Sequence, residues 1–172
     1  QGAEVVAVSD VFEESARKAA EICGAKVYAD SKELINAENV DAVFIVSPGF
    51  AHADSLLQAI EAGKRIFCEK PLCTTAEDCL KVVKAEEAAG KHLIQLGFMR
   101  RYDKGYQQIK EALATGEYGE PLILHCTHRN PEVGTNYNTP MAVHDTAIHE
   151  IDVLHWLVDD EYESAQVVMP RV

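Results

Sequence analysis

The sequence predicts an α/β protein built on a doubly wound parallel sheet. Two observations carry this prediction. Short apolar segments rich in β-branched residues alternate with helical segments from Glu4 to about Phe98, and the connections between them are short. Several of the helical segments end at a glycine, which is the usual residue just past a helix end.

The predicted elements follow one another in a regular order. In the first part they are a strand at 4–10, a helix at 11–25, a strand at 26–30, a short helix at 31–36, a strand at 40–48, a helix at 51–64, a strand at 65–71, a helix at 74–91 and a strand at 92–98. After that the alternation stops, and the sequence predicts a helix at 102–119, a long strand at 120–130, a turn-rich loop at 131–140, a helix at 142–160 and the beginning of a strand at 164–170. We therefore expect two domains, 1–98 and 99–172.

Composition excludes several classes of partner. Sixteen basic and 28 acidic residues give a net charge of −12 without a basic stripe, which argues against nucleic acid and anionic membranes. No apolar run approaches the ~20 residues of a membrane-spanning helix. Five cysteines, scattered through apolar segments, are interpreted as reduced core thiols of a cytoplasmic protein. Because the chain starts at Gln1, almost directly on a strand, we interpret it as a piece of a longer protein.

The stretch "RIFCEKPLC" ends an apolar strand with Glu69, Lys70 and Pro71. Proline removes a backbone donor and keeps the preceding residue extended, which fixes the direction of Lys70. In open α/β sheets, ligands bind at the carboxyl ends of the strands. The pattern fits either a functional lysine at that edge or an ordinary charged strand end.

Two other strand ends carry residues suited to a dinucleotide. Asp10 lies where an acid accepts hydrogen bonds from the adenosine ribose, and its charge favours NAD over NADP. The glycine loop that would precede it by ~20 residues falls ahead of the chain. In "VSPGFAH", Ser47 and Pro48 form a sharp exit, Gly49 permits close backbone approach, and His52 lies near a helix start. Asp10 as a turn residue, and His52 as a capping or packing residue, are the alternatives.

The segment "HDTAIHEIDVLHW" places Asp145, His149 and Asp152 at i, i+4 and i+7, on one helix face. A carboxylate one turn from an imidazole can orient the ring as a general base. A metal site and a solvated or core polar face are the alternatives. On the predicted strand at 120–130, His128 and Asn130 point the same way.

These motifs together resemble one family. "FCEKPLCTTAEDC", "GFMRRYDKGY", "HCTHRNPEVGTNY" and "HEIDVLHWLVDDEYES" are similar to the glucose-fructose oxidoreductase and inositol dehydrogenase family, over essentially the whole chain. The resemblance implies a Rossmann-type dinucleotide-binding domain followed by the beginning of an α+β domain with an open-faced sheet. It also implies a cytoplasmic homotetramer that uses NAD to oxidise a cyclic polyol. The favoured reaction is the oxidation of myo-inositol to 2-keto-myo-inositol, which is a step of inositol catabolism. The alternatives are a dehydrogenase for a related sugar or another inositol isomer, a metal-dependent isomerase or hydrolase, and a non-catalytic NAD-binding regulator.

The resemblance also implies roles for individual residues. The catalytic residues would be Lys70, Asp145 and His149. The residues that would line the polyol pocket are Asp145 and His149, together with Met99, Arg100, His128, Asn130 and Thr146. The NAD side would consist of Asp10, Ser47, Pro48, His52, Glu69 and Lys70. No metal ligand is expected.

Overall fold

Short parallel strands organise the first part of the protein. The computed structural model describes residues 2–168, and the chain divides into two units, Gln1–Gly97 and Phe98–Val172. The strands of the first unit are β1 (Ala7–Val8), β2 (Lys26–Val27), β3 (Ala42–Ile45), β4 (Arg65–Cys68) and β5 (Ile94–Leu96). Strand β1 pairs with β2, while β3, β4 and β5 form a second sheet in that order, and every pairing is parallel. The predicted α/β fold class with parallel strands is confirmed.

The strands of the first unit form two separate parallel sheets, β1-β2 and β3-β4-β5. Among residues 2–168, no strand pairs with the free edges of β1 and β3. In the doubly wound order 3-2-1-4-5-6, the strand that separates these two neighbours is the first of the domain. The split therefore falls where the doubly wound order places one further strand.

The helices of the first unit lie between the strands, as predicted. They are α1 (Glu13–Cys23), α2 (Ser31–Ile35), α3 (His52–Glu61) and α4 (Ala76–Ala89). The side chain of Thr75 caps α4 by accepting the backbone N–H of Asp78, and Gly90 ends the helix in the left-handed conformation. Leu56 of α3 and Val82 of α4 are fully buried in one apolar cluster with the strands. This core fixes the strand ends, from which the loops leave.

The regular structure in the described part of the second unit is helical. It contains α5 (Lys104–Ala114), α6 (Thr139–Met141) and α7 (Ile148–Val158), with a π-helix over Ala142–Ala147 between the last two. The predicted helix at 142–160 is thus correct in place but not uniform. A π-helix closes i→i+5 hydrogen bonds and holds more residues per turn, so the 3.6-residue spacing assumed across Asp145 and His149 does not apply to its whole length.

The predicted strand at 120–130 is wrong, because the structure has no strand there. A strand needs a partner for its backbone groups, and none of residues 2–168 pairs with this segment. The side chains of Leu122 and Ile123 are accordingly about nine-tenths exposed. Residues 164–168 have no regular structure, and the rest of the strand predicted at 164–170 lies outside the described residues.

The cysteines are only partly core residues. All five are free thiols; Cys68 and Cys73 are buried and Cys79 is half-buried. Cys23 and Cys126 are exposed, which corrects the expectation of five core thiols. Cys23 lies on the outer side of the last turn of α1, and Cys126 belongs to the unpaired segment at 120–130.

Across the described part of the chain, the helices are too short or too polar to cross a membrane.

Candidate active site

The first unit contributes an edge where two parallel strands end side by side. Ile45 of β3 is in register with Cys68 of β4, and the backbone N–H of Glu69 donates to the carbonyl of Ile45 at 2.9 Å. The loop after β3, which begins near Ser47, and the segment that carries Lys70 therefore leave from adjacent strand ends. This is the edge where open α/β sheets bind ligands.

Lys70 lies in a tightly packed loop at this edge. Lys70 is half-buried and is not without an interaction partner, and the Pro71 that follows it is buried. A Cβ on Gly49 would come within 3.1 Å of the Pro71 ring. The glycine therefore allows two loops of the protein to pack together, while the close approach of a ligand to its backbone stays a prediction.

His52 lies inside the loops, which agrees with the packing alternative that the sequence left open for it. The residue is 0% exposed, and both ring nitrogens face backbone carbonyls, Nδ1 that of Pro71 at 2.8 Å and Nε2 that of Ser47 at 2.6 Å. An enclosed ring with both nitrogens engaged has no polar atom left for a dinucleotide. The expected contact of His52 with NAD is therefore replaced by a role inside the loops.

Asp10 follows β1 and is exposed. One of its carboxylate oxygens, Oδ1, accepts the backbone N–H of Phe12 at 2.8 Å. This bond closes the turn into α1 and holds the carboxylate at the strand end. The turn role is thus observed, while contact with a ribose stays a prediction. Ser47 and Pro48, also expected on the NAD side, are exposed in their loop, as is Glu69.

The second unit holds a polar cluster centred on Glu150 of α7. The Glu150 carboxylate forms an ion pair with Arg100 and lies 3.1 and 3.2 Å from Nδ1 of His128. The other ring nitrogen of His128, Nε2, is 3.1 Å from Oδ1 of Asn130. The Arg100 and Glu150 side chains are each 16% exposed. The Glu150 carboxylate thus connects two residues predicted for the polyol pocket, Arg100 and His128, and the His128 ring connects them to a third, Asn130.

Glu150 was missed by sequence reasoning. It stands next to His149, and nothing local distinguishes it from an ordinary surface acid of a helix. A signal was present in the pairing of charges, because Arg100 and Arg101 are adjacent and Glu150 and Asp152 are two apart. In the structure Arg101 binds Asp152 through two hydrogen bonds of 3.0 and 2.6 Å.

Asp152 is therefore a structural ion-pair partner, which corrects the face of three residues predicted for this helix.

The other predicted residues have separate surroundings. His149 is 7% exposed on α7, and Asp145 is half-buried in the π-helix; both have polar or ring contacts. The hydroxyl of Thr146 lies 2.6 Å from that of Tyr137, a second residue that the sequence did not suggest. Met99 is 60% exposed in a 3₁₀ turn.

Glu150 should make the stability of the protein depend on pH. Burial alone would raise the pKa of Glu150, but hydrogen bonds and charges from Arg100 and His128 outweigh it, so the pKa lies below its usual value. A carboxyl with a lowered folded-state pKa stabilises the fold fully above its unfolded pKa of about 4.3, and this contribution is lost as the pH falls through the folded-state value.

We therefore expect Glu150→Gln to lower the thermal unfolding midpoint at pH 6, and the difference from the unmodified chain to shrink as the pH falls below about 4.3. Unfolding curves of both chains, followed by circular dichroism over this range, measure the effect. A difference that stays constant or grows on acidification would contradict it.

Among residues 2–168, no three His, Cys, Asp or Glu side chains converge in a way that could hold a metal ion.

Comparison with known families gives two matches. Residues 1–98 match the model described as "Oxidoreductase family, NAD-binding Rossmann fold". Residues 106–172 match the "GFO/IDH/MocA C-terminal domain". The first match identifies the fold of the first unit as the Rossmann type.

Curated relatives are closely similar in sequence. The chain is 56% identical over 172 residues to the inositol 2-dehydrogenase/D-chiro-inositol 3-dehydrogenase of Halalkalibacterium halodurans, covering 99% of this chain and 49% of that protein. It is 55% identical to the inositol 2-dehydrogenase of Azotobacter vinelandii, with 99% and 51% covered. The chain therefore spans about half the length of the curated relatives it matches.

Solved structures also resemble the chain, at lower sequence identity. The myo-inositol dehydrogenase of Lactobacillus casei, whose crystal structure is a complex with NAD(H) and myo-inositol, superimposes with a TM-score of 0.93 at 49% identity, covering 99% of this chain and 51% of that one. A probable dehydrogenase from Thermotoga maritima follows, with a TM-score of 0.83 at 31% identity over 91% of this chain and 48% of that one.

Proposed function

The chain belongs to the GFO/IDH/MocA oxidoreductase family, and we propose that it is part of an NAD-dependent dehydrogenase that oxidises a cyclic polyol. The favoured reaction is the oxidation of myo-inositol to 2-keto-myo-inositol. The observation that carries the choice of substrate is the cluster of Arg100, His128 and Asn130 around Glu150, which offers several directional polar groups. A polyol with a hydroxyl on every ring carbon suits such a pocket, and relatives named inositol 2-dehydrogenase support the assignment.

The residues proposed for catalysis divide the chemistry of alcohol oxidation among them. A substrate hydroxyl is a very weak acid, so a base must take its proton as the hydride leaves, and His149 is proposed as that base. Lys70 would stabilise the negative charge that develops on the same oxygen. Asp145 would orient His149 or hold a neighbouring hydroxyl. NAD would accept the hydride, while the protein supplies position and electrostatic field.

We assign the dinucleotide to residues 1–98 and the beginning of the catalytic domain to 99–172. On the NAD side we propose Asp10, Ser47, Pro48 and Glu69, together with Lys70. Met99 and Thr146 complete the proposed polyol pocket. A cytoplasmic homotetramer is proposed from the family resemblance, and the free thiols are consistent with a reducing compartment.

The test of the function uses this sequence within a chain of the relatives' length, here called the full-length enzyme. NAD reduction is followed by absorbance across a panel of inositol isomers and monosaccharides, before and after dialysis against a chelator. We expect myo-inositol to give the highest kcat/KM and activity to survive the chelator. Faster turnover of another substrate would reject myo-inositol as the substrate, and activity lost on dialysis but restored by zinc or manganese would reject the metal-independent mechanism.

Asp10 gives a prediction about the cofactor. Replacing it with serine removes the proposed ribose acceptor and the charge that opposes a 2′-phosphate. We expect Asp10→Ser in the full-length enzyme to lower the preference for NAD over NADP by at least tenfold, corresponding to about 1.4 kcal/mol. Ratios of kcat/KM for the two cofactors measure this, with Asp41→Ser as an exposed control on the same unit. An unchanged ratio would show that Asp10 only closes its turn.

A further inference from the structure

The contacts of His52 bear on how many protons its ring carries. Its two ring nitrogens lie 2.8 Å and 2.6 Å from the carbonyl oxygens of Pro71 and Ser47. A backbone carbonyl can only accept hydrogen bonds, and a neutral imidazole has a single N–H to donate. In either neutral tautomer, one nitrogen would direct its lone pair at a carbonyl oxygen within hydrogen-bond distance. Only the doubly protonated ring donates to both.

The neighbouring thiol does not change this count. Sγ of Cys68 lies 3.4 Å from Nδ1 of His52 and 3.2 Å from the carbonyl oxygen of Glu69, to which it can donate. Burial, with smaller contributions from Cys73 and Glu69, raises the pKa of the Cys68 thiol to about 12. The thiol therefore stays protonated near neutral pH and is not the anionic partner of a charged histidine.

Two effects oppose a charge on His52. The ring is 0% exposed, and it belongs to the first residue of α3, where the helix dipole disfavours a cation. The charged groups on the elements packed together here include Asp54 in the first turn of α3, Glu77 and Asp78 in the first turn of α4, and Glu69 and Lys70 after β4. The two carbonyls are the groups that directly stabilise the cation, through charge-assisted hydrogen bonds.

We propose that His52 is a buried imidazolium that ties the loop after β3 to the segment Glu69–Pro71, and so positions Lys70. The close contact between Gly49 and Pro71, where a Cβ would be 3.1 Å from the ring, supports the same connection between these loops. His52 is thus a positioning residue of the proposed function and touches neither substrate nor cofactor. The state of its ring follows from the geometry alone, whatever the substrate is.

The first test is heteronuclear NMR of the histidine ring nitrogens in the 172-residue chain. We expect both nitrogens of His52 to carry slowly exchanging protons, whereas the ring of exposed His92 should show none, because its N–H groups exchange with solvent. His92→Gln identifies the control signal and should leave the His52 signals unchanged. One unprotonated nitrogen on His52 at neutral pH would overturn the imidazolium.

The second test asks whether the ring positions Lys70. In the full-length enzyme, His52→Gln keeps one donor and should lower kcat roughly 10- to 100-fold, because misplaced catalytic groups lose rate steeply, with little change in KM for the polyol. His92→Gln should retain the full rate. An unchanged kcat in a folded His52→Gln enzyme would overturn the positioning role. Because the NMR measurement needs neither cofactor nor substrate, an enzyme inactive on every polyol would reject the proposed function without affecting the ring assignment.

Discussion

Replacing Lys70 with methionine in the full-length enzyme should lower kcat/KM for the polyol by about 10³-fold. Methionine keeps much of the apolar stem and removes the ammonium that would stabilise the developing alkoxide. The loss should appear in kcat, and an unfolding curve of the variant first confirms that it is folded. Initial rates at saturating NAD measure the effect, and Lys91→Met, at an exposed position of the same unit, is the matched control.

A second variant tests whether Lys70 and His149 act on the same step. Residues that work as one unit are strongly non-additive, so Lys70→Met combined with His149→Asn should cost little more than the worse single substitution. Because His149 is only 7% exposed, its variant must first be shown to fold, by the same unfolding measurement. Single-substitution losses that multiply, or a Lys70→Met rate within tenfold of the unmodified enzyme, would contradict the catalytic assignment.

Replacing Glu150 with glutamine in the full-length enzyme should raise KM for the polyol by roughly 10- to 100-fold, in line with the ~1.5–3 kcal/mol of hydrogen bonds to charged groups. The carboxylate accepts from both Arg100 and His128, whereas an amide has one oxygen and would turn its NH₂ group towards one of these donors. The pocket side chains would then lose their orientation. Rates against polyol concentration at saturating NAD give the effect.

The division between KM and kcat makes this prediction specific. Glu150 is expected to orient groups that bind the substrate in its ground state and transition state alike, so KM for the polyol should change more than kcat. KM for NAD should stay constant, and Glu163→Gln, at an exposed acid of the same unit, should behave as the unmodified enzyme. A loss confined to kcat would instead assign Glu150 to the chemical step.

The sequence predicted the first unit well because its elements are specified locally. The Thr75 cap and the left-handed Gly90 define α4 from both ends, and the structure has both. The segment at 120–130 failed for the opposite reason, because its alternating pattern describes a strand only if a partner supplies the ladder. The π-helix could not be predicted from the sequence either, because a periodicity of 3.6 residues describes only the regular part of a helix.

The residues of the candidate site also differ in whether a local sequence signal identifies them. Lys70 could be singled out because proline follows a strand end, which is a local signal. The importance of Glu150 arises from Arg100 and His128, which are 50 and 22 residues away in sequence and meet it only after folding. His52 illustrates a third case, because the sequence left a packing role and contact with NAD both open, and its burial favours packing. Local chemistry can identify such residues, and only packing can assign their partners.

The divided sheet of the first unit also affects how the 172-residue chain should behave in concentrated solution. Within residues 2–168, one edge of β1 and one edge of β3 have no partner strand, and such edges are templates for pairing with another molecule. Phe44 and Val46, at the end of β3, are exposed and add apolar surface there. A net charge of −12 keeps copies apart near neutral pH. As acid neutralises that charge, strand-to-strand aggregation should set in, so purification and storage call for neutral or mildly alkaline buffers of low ionic strength.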